Sequence, residues 1–246
     1  MWSDSVKPTT ADQTSPATAV LDNVVFTSLM GPHDRLAQRH GRAVRYPVDI
    51  SGFAALPDRP QPQDWSDLAR LVSNAEGVAV VEPNAEPPEG WIVLSRFTVV
   101  QMVGDGVDAR PDAEAVRLGK DDVPAILDLV ARAEPGPFAP RTIEMGTYLG
   151  FRQSGQLIAM AGQRFRPPGW TEISAVCTAQ EFRGRGLAKR LVHALAYEIR
   201  QRGERPFLHV VPSNTKAIAL YQTLGFRIRR TAEVLVTRPT GSPTVV

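Results

Sequence analysis

The sequence has little cysteine and no long apolar run, and these two absences narrow the class of protein. Cys177 is the only cysteine among the 246 residues, so a disulfide within the chain is excluded and a reducing, cytoplasmic setting is predicted. No apolar stretch approaches the ~18 residues that a membrane helix needs. The first residues, Met1 to Ser5, lack the basic patch and apolar segment of a signal peptide. We therefore expect a protein that neither spans a membrane nor is secreted.

Several common ligand motifs are also missing. The four histidines have no metal-ligand spacing, so no metal site is predicted. A phosphate-binding Walker loop is absent, and a dinucleotide-binding glycine motif would need a small residue where Lys189 stands and an acidic residue where Val211 and Pro212 stand. No helix-turn-helix, finger or stacked-aromatic pattern supports binding to nucleic acid.

What the sequence does have is the composition of a globular α/β protein, with 43% hydrophobic and 22% charged residues. The Gly, Asp and Pro content of residues 104–114 predicts a linker, and the charge balance changes sign there, from net negative before it to net positive after it. The predicted organisation is a mobile tail over 1–17, a smaller N-terminal α/β domain over 18–103, the linker over 104–114, a second domain over 115–238 and a tail over 239–246.

The periodicity of apolar residues predicts helices and strands in both domains. The first domain is expected to have helices near Val20–Met30 and Asp64–Val72, and strands near Gly77–Val81, Trp91–Leu94 and Phe97–Val103. The second domain has the predicted order βαβββαβαβ. Its three central strands, expected at Tyr148–Arg152, Gln156–Phe165 and Trp170–Thr178, are separated by short turns and so predict an antiparallel meander.

The most informative segment runs from the strand that ends at Thr178, through a short glycine loop, into a helix that opens at Gly186. Gly184 and Gly186 allow a tight turn whose backbone N–H groups point the same way, and the start of a helix adds unpaired donors and a partial positive charge. The neighbouring basic residues, Arg183, Arg185, Lys189 and Arg190, add positive charge. The segment is therefore predicted to bind a pyrophosphate, although a Gly-x-Gly after a strand can also be no more than a turn.

The ordered motifs of this region resemble the GNAT superfamily of N-acetyltransferases. The resemblance covers about residues 116–237. It is carried by the loop Arg183-Gly184-Arg185-Gly186-Leu187-Ala188, by the strand near Pro206–Val211, and by Asn214, Ala217, Tyr221 and Gly225-Phe226 at the family's spacing. It implies the GNAT fold, a mixed and mostly antiparallel sheet flanked by helices. The N-terminal domain would then be a degenerate GNAT-like half, which is a hypothesis from its mixed α/β pattern.

The resemblance also implies a cofactor-binding site for acetyl-CoA. Backbone amides from Arg183 to Ala188 would hold the pyrophosphate of CoA, and the strand residues Val176, Cys177 and Thr178 would pair with its pantetheine arm. One residue departs from the family pattern. Glu181 stands where the family usually has Gln or Arg, and a carboxylate there would repel phosphates unless it faces solvent.

Two residues are expected to be catalytic. Asn214, Ala217 and Tyr221 share one helix face at i, i+3 and i+7, and the resemblance implies that Tyr221 donates a proton to the sulfur of CoA. A core aromatic residue is the alternative for Tyr221. Glu172 lies on the strand that leads to the loop and alternates with Ser174 and Val176, so these three are expected on one face near the thioester. Glu172 is therefore a candidate general base, or else a solvated charge at a strand end.

The same strand also carries Cys177 and Val176. Cys177 has no paired histidine in view and is interpreted as a packing residue rather than a nucleophile. A backbone N–H near Val176 would meet the oxyanion that forms on the thioester carbonyl.

The predicted function is therefore transfer of an acetyl group from acetyl-CoA to a primary amine by direct attack in a ternary complex. A CoA-binding sensor or partner-binding module without catalysis is the alternative. The acceptor is expected to be a small-molecule or peptide amine, with the loop over 138–146 and the first domain as the regions that select it. The acceptor's identity, the acyl chain length beyond acetyl and the oligomeric state are not readable from the sequence.

Overall fold

A computed structural model describes residues 16–72, 77–81 and 86–241 of the chain. The predicted tails lie largely outside these residues. Within them, the helices are α1 (Pro16–Ala19), α2 (Val24–Leu29), α3 (Pro62–Leu71), α4 (Val123–Ala133), α5 (Leu187–Gln201) and α6 (Thr215–Thr223). The strands are β1 (Gln38–His40), β2 (Ala43–Arg45), β3 (Phe53–Ala55), β4 (Val78–Val81), β5 (Trp91–Val103), β6 (Val116–Leu118), β7 (Tyr148–Gln153), β8 (Gln156–Gln163), β9 (Trp170–Thr178), β10 (Arg205–Val210) and β11 (Arg227–Pro239).

These strands form one mixed sheet flanked by helices, which confirms the predicted fold class. The strand order is β1-β2-β3-β4-β11-β5-β10-β9-β8-β7-β6. Neighbours are antiparallel except in two pairs, β3–β4 and β9–β10, which are parallel. The predicted meander is present as β7, β8 and β9.

The sheet does not separate at residues 104–114, where the sequence predicts a linker between two domains. β5, from the N-terminal side of that segment, lies between β10 and β11 and pairs with both. β11, from the C-terminal side, in turn pairs with β4. The segment is itself anchored, because Asp112 accepts two hydrogen bonds from Arg190 of α5, at 2.7 and 2.8 Å. The Gly, Asp and Pro content of the segment is typical of a turn, but it does not indicate which distant strands pair with each other.

The helices bury apolar side chains on both faces of the sheet. On one face, α5 packs Leu191, Leu195 and Ile199 against Ile173 of β9 and Leu208 of β10. The opposite face is covered by α2 and α4, which pack against different parts of the sheet. Because adjacent strand residues point to opposite faces, Phe207 lies under α2 whereas Leu208 lies under α5. We call these two surfaces the α5 face and the α2–α4 face.

The central strands β9 and β10 pair over only part of their length. Their ladder consists of three residue pairs, from Trp170–Arg205 to Glu172–Phe207. Beyond Glu172, β9 continues to Thr178 alongside β8, and β10 continues to Val210 alongside β5. Ser174 and its next two neighbours are half-buried although they belong to a central strand. We call this stretch, residues 173–178 of β9 and 208–210 of β10, the β9–β10 gap.

Candidate active site

The predicted anion loop lies at the start of α5 with both glycines in the left-handed region. Gly184 has φ 79° and Gly186, the residue that precedes the first turn of α5, has φ 75°. A Cβ at either position would meet no atom within 4 Å, so the backbone angle, not a lack of space, favours glycine there. Gly186 has no side chain to cap the first turn of α5, and no other described residue caps it. Residues 183–186 are exposed, so the amides at this helix start face solvent.

The basic residues around the loop differ in what they contact. Arg183 and Lys189 are exposed, and the guanidinium of Arg185 lies 4.9 Å from the centre of the Phe182 ring. Arg190 is instead bound to Asp112 and, at 2.6 Å, to Glu114. The positive rim of the loop therefore consists of Arg183, Arg185 and Lys189, and the prediction that Arg190 belongs to it is wrong.

Glu181 does not place its charge on the loop amides. Its side chain is 55% exposed, and its carboxylate lies 3.8 Å from the guanidinium of Arg132 on α4. The departure from the family pattern is thus compatible with an anion at the loop, because a solvated and paired carboxylate repels it weakly.

The strand residues that lead into the loop contain a bulge. Met160 pairs with Cys177 and Gly162 with Ser174, so two residues of β9, Ala175 and Val176, stand opposite one residue of β8. Ala175 has φ 53°, which is uncommon for a residue with a Cβ. Bulges of this kind reorient side chains and backbone groups and are frequent near active sites. The bulge lies at the β9–β10 gap, where the oxyanion-binding N–H is expected.

The bulge also sets the face of the sheet on which each neighbouring side chain lies. Val176 is half-buried and packs against the core under α5, whereas Cys177 is buried in the core under α4. Burial raises the pKa of the Cys177 thiol to about 12, so it stays protonated at neutral pH. This agrees with the interpretation of Cys177 as a packing residue. Pairing of the Val176–Thr178 backbone with a bound ligand remains a prediction.

Of the residues predicted to form the site, Ala217 and Tyr221 lie on α6 and Asn214 lies directly before it. Asn214 precedes the helix, and its side-chain oxygen accepts a hydrogen bond of 3.1 Å from the backbone N–H of Ala217. Ala217 and Tyr221 both pack against the core under α5. Asn214 thus has a structural role as a helix cap, while the binding role of Asn214 and Ala217 remains a prediction.

Tyr221 is held by packing and has an unused hydroxyl. Its ring makes an edge contact with Phe226, with 5.7 Å between the ring centres. Among the residues that the structure describes, its hydroxyl has no hydrogen-bond partner. Burial raises the pKa of Tyr221 to about 12, so the phenol carries its proton at neutral pH. A protonated phenol on the α5 face can act as a general acid for a thiolate.

Glu172 does not lie where a general base is needed, and that prediction is wrong. The residue is fully buried, and its carboxylate accepts two hydrogen bonds from Arg164, at 2.8 and 2.7 Å. Nδ1 of His209 lies 2.7 Å from the same carboxylate. Burial alone would raise the pKa of Glu172, but Arg164 and His209 hold it at about 2. A carboxylate that is paired, enclosed and so weakly basic cannot take a proton from a substrate amine at neutral pH.

Sequence reasoning missed the partners of Glu172. Arg164 lies just after β8, and its guanidinium lies 4.7 Å from the centre of the Phe165 ring. His209 lies on β10, two residues beyond Phe207, which pairs with Glu172. The only signal in the sequence is a charged residue within the apolar strand Trp170–Thr178, and that signal does not name a partner.

Comparisons with known proteins bear on the family and the fold of this chain. The family model described as FR47-like protein matches residues 148–235. A crystal structure from Novosphingobium aromaticivorans, described as a protein from the GNAT family, has 39% sequence identity and a TM-score of 0.82, and the match covers 90% of this chain and 99% of that chain.

The chain belongs to the GNAT family. More distant GNAT structures share the fold alone. One is a GCN5-related N-acetyltransferase from Kribbella flavida, with 19% identity and a TM-score of 0.56 over 88% of this chain and 95% of that one. Another is a GCN5-related N-acetyltransferase-like protein from Streptococcus suis, with 15% identity and a TM-score of 0.54 over 87% of this chain and 92% of that one.

A curated relative of this GNAT protein is an uncharacterized protein of Mycobacterium leprae, 28% identical over 210 residues. The match covers 76% of this chain but only 55% of the relative, so the chain spans about half of that protein's length. Within residues 16–72, 77–81 and 86–241, no helix is long and apolar enough to cross a membrane, and no cluster of three or more His, Cys, Asp or Glu side chains is placed to hold a metal ion.

Proposed function

We propose that the protein is an N-acyltransferase that moves an acetyl group from acetyl-CoA to a primary amine. The observation that carries this proposal is the exposed glycine loop at the start of α5, where no side chain caps the helix. Its backbone N–H groups and partial positive charge suit the pyrophosphate of CoA. Arg183, Arg185 and Lys189 supply further positive charge at the same end of the helix.

The reaction we propose is a direct attack in a ternary complex. The amine nitrogen bonds to the thioester carbonyl carbon, the carbon–sulfur bond breaks, and the products are an amide and the thiol of CoA. The thiolate takes its proton from the hydroxyl of Tyr221, the proton lost by the amine passes to solvent, and the Tyr221 phenolate regains a proton from solvent. A backbone N–H at the bulge near Val176 would stabilise the oxyanion. The acceptor would be a small-molecule or peptide amine.

Release of free thiol from acetyl-CoA tests this function. The protein is incubated with acetyl-CoA and a panel of amines that contains benzylamine, spermidine, alanine and a short peptide with a free N-terminus. We expect turnover with at least one of them. Tight binding of acetyl-CoA without turnover on any amine would instead favour a CoA-binding sensor.

Tyr221→Phe tests the proposed proton donor. Because a general acid contributes on the order of 100-fold or more, we expect kcat to fall about 100-fold while the affinity for acetyl-CoA stays the same. Tyr197→Phe is the matched control, since Tyr197 is a half-buried tyrosine in the second half of α5. An unchanged kcat for Tyr221→Phe would remove this residue from the mechanism.

A further inference from the structure

If the proposed function holds, acetyl-CoA and the acceptor amine use different faces of the sheet. The inference rests on that proposed function. The loop leads into α5, and Val176, Ala217 and Tyr221 all pack against the core under α5. Acetyl-CoA would therefore reach the β9–β10 gap from the α5 face. The attacking amine would then approach from the α2–α4 face, because the thiol leaving group and its proton donor occupy the other side.

Polar side chains on the α2–α4 face near this gap are mostly engaged with one another. Glu172 and Arg164 form the bidentate ion pair. The two ring nitrogens of His209 lie 2.7 Å from Glu172 and 3.1 Å from the side-chain amide of Gln101. Gln101 also donates a hydrogen bond of 2.9 Å to the carbonyl of Leu21. These groups therefore have little capacity left to bind a substrate.

Ser174 is the polar residue that comes next along β9. It follows Glu172 by two positions in regular pairing with β8, so both side chains lie on the α2–α4 face. Ile173, between them, belongs to the core under α5. Ser174 is half-buried and, among the described residues, has no hydrogen-bond partner for its hydroxyl.

The residue row that contains Ser174 on this face includes an aromatic ring. Gly162 stands directly opposite Ser174 on β8, and Tyr148 stands opposite Gly162 on β7. A Cβ on Gly162 would lie 2.0 Å from the Tyr148 ring, so this ring occupies the place of the missing side chain. Phe138, from the loop predicted to select the acceptor, packs edge-on against Tyr148 with 5.5 Å between the ring centres. Ser174 thus lies in the same row of residues as Tyr148, whose ring contacts Phe138 of the loop over 138–146.

We propose that Ser174 binds the acceptor amine: its hydroxyl oxygen accepts a hydrogen bond from the amine N–H at the α2–α4 side of the β9–β10 gap. The hydroxyl orients the nitrogen lone pair toward the thioester carbon. It takes no part in bond making and does not remove the proton.

Steady-state kinetics of Ser174→Ala and Ser174→Thr test this inference. The probe is the amine of the panel above that the wild-type protein acetylates with the highest kcat/KM. Loss of one neutral hydrogen bond predicts a KM for this amine that is about three- to tenfold higher in Ser174→Ala. Ser174→Thr keeps the hydroxyl and should bring the KM back toward the wild-type value. The dissociation constant for acetyl-CoA should be the same in all three proteins.

Ser95→Ala is the matched control, because Ser95 is an exposed serine on β5, also within a strand. A KM for the amine within twofold of wild type in Ser174→Ala would overturn the inference. Equal weakening of amine and acetyl-CoA binding would also overturn it, because it would indicate a structural role. A wild-type protein that acetylates no amine would contradict the proposed function itself, so the two failures are distinguishable.

Discussion

Two polar regions of this protein, one exposed and one buried, use their hydrogen-bonding groups in opposite ways. The loop over 183–186 is exposed, and no side chain caps the helix that follows it. The buried cluster of Arg164, Glu172 and His209 includes a residue of β9, the strand that leads toward the loop, yet the groups of the cluster bind one another. A charged residue near a candidate site can therefore act on a ligand only if other protein groups do not already occupy its hydrogen-bonding positions.

The difference has a simple energetic origin. A buried carboxylate is stable only when its charge is compensated, so the charged groups of the cluster must pair with one another in the core. Backbone amides at an exposed helix start are solvated and can exchange water for a ligand anion. The cluster therefore contributes to folding, whereas the loop is available for binding.

Breaking the buried cluster should have the largest effect on stability. Glu172→Gln leaves the guanidinium of Arg164 buried without its counter-charge, and we expect the free energy of unfolding to fall by about 3–5 kcal/mol. Urea denaturation measures this change. Asp128→Asn is the matched control, because Asp128 pairs with Arg132 on the surface of α4, where its side chain is 68% exposed. That substitution should cost less than about 1 kcal/mol. Equal effects of the two variants would contradict the assigned role of the cluster.

A second buried polar group gives a smaller effect that depends on pH. His33 is 2% exposed, and its Nδ1 lies 2.9 Å from the hydroxyl of Tyr46. Burial lowers the pKa of His33 from 6.5 to about 4. As the pH falls below 6.5, the unfolded chain therefore binds a proton at this residue before the folded protein does, and acid favours unfolding.

Urea denaturation at two pH values checks this prediction. For a single group, linkage predicts that His33 lowers the free energy of unfolding by roughly 1–2 kcal/mol between about pH 6.5 and about pH 5. His33→Asn should remove this part of the pH dependence. His40→Asn is the control, since the His40 side chain is 41% exposed, and it should keep the wild-type slope. A wild-type slope in His33→Asn would show that His33 is not the source.

The parts of the site that follow from local chemistry were predictable from the sequence. β9 begins and ends at the predicted residues, Trp170 and Thr178, because apolar residues and turn formers mark its ends clearly. α5 starts directly after Gly186, where the glycine loop and the four-residue apolar repeat predict a helix.

The features that the sequence does not predict depend on contacts between distant residues. β1, β2 and β3 have three residues each, too few to show an alternating pattern. β5 was expected as two strands but is continuous, with an irregular register against β11 between Val236 and Thr237. Its place between β10 and β11 is set by pairings that no local pattern encodes.

The error about Glu172 has the same cause. Alternation along the strand correctly places Glu172 and Ser174 on one face. It cannot show that Arg164 and His209 meet the carboxylate there. The bulge at Ala175 is also invisible to alternation, and it puts Val176 on the opposite face from Ser174.

The central claim is that the amides of the loop before α5 bind the pyrophosphate of acetyl-CoA, and calorimetric titration of two glycine variants tests it most directly. Gly186→Ala and Gly203→Ala each place a Cβ at a positive φ, 75° and 73°, with no atom within 4 Å of it. Each should therefore lose about 1 kcal/mol of stability through backbone strain.

Only Gly186 lies in the loop; Gly203 lies beyond the C-terminal end of α5. The account predicts that acetyl-CoA binds the wild-type protein and Gly203→Ala with the same dissociation constant, and binds Gly186→Ala at least about tenfold more weakly, a loss of ~1.4 kcal/mol of binding free energy. Equal affinities in all three proteins, or no heat of binding to the wild type, would contradict it.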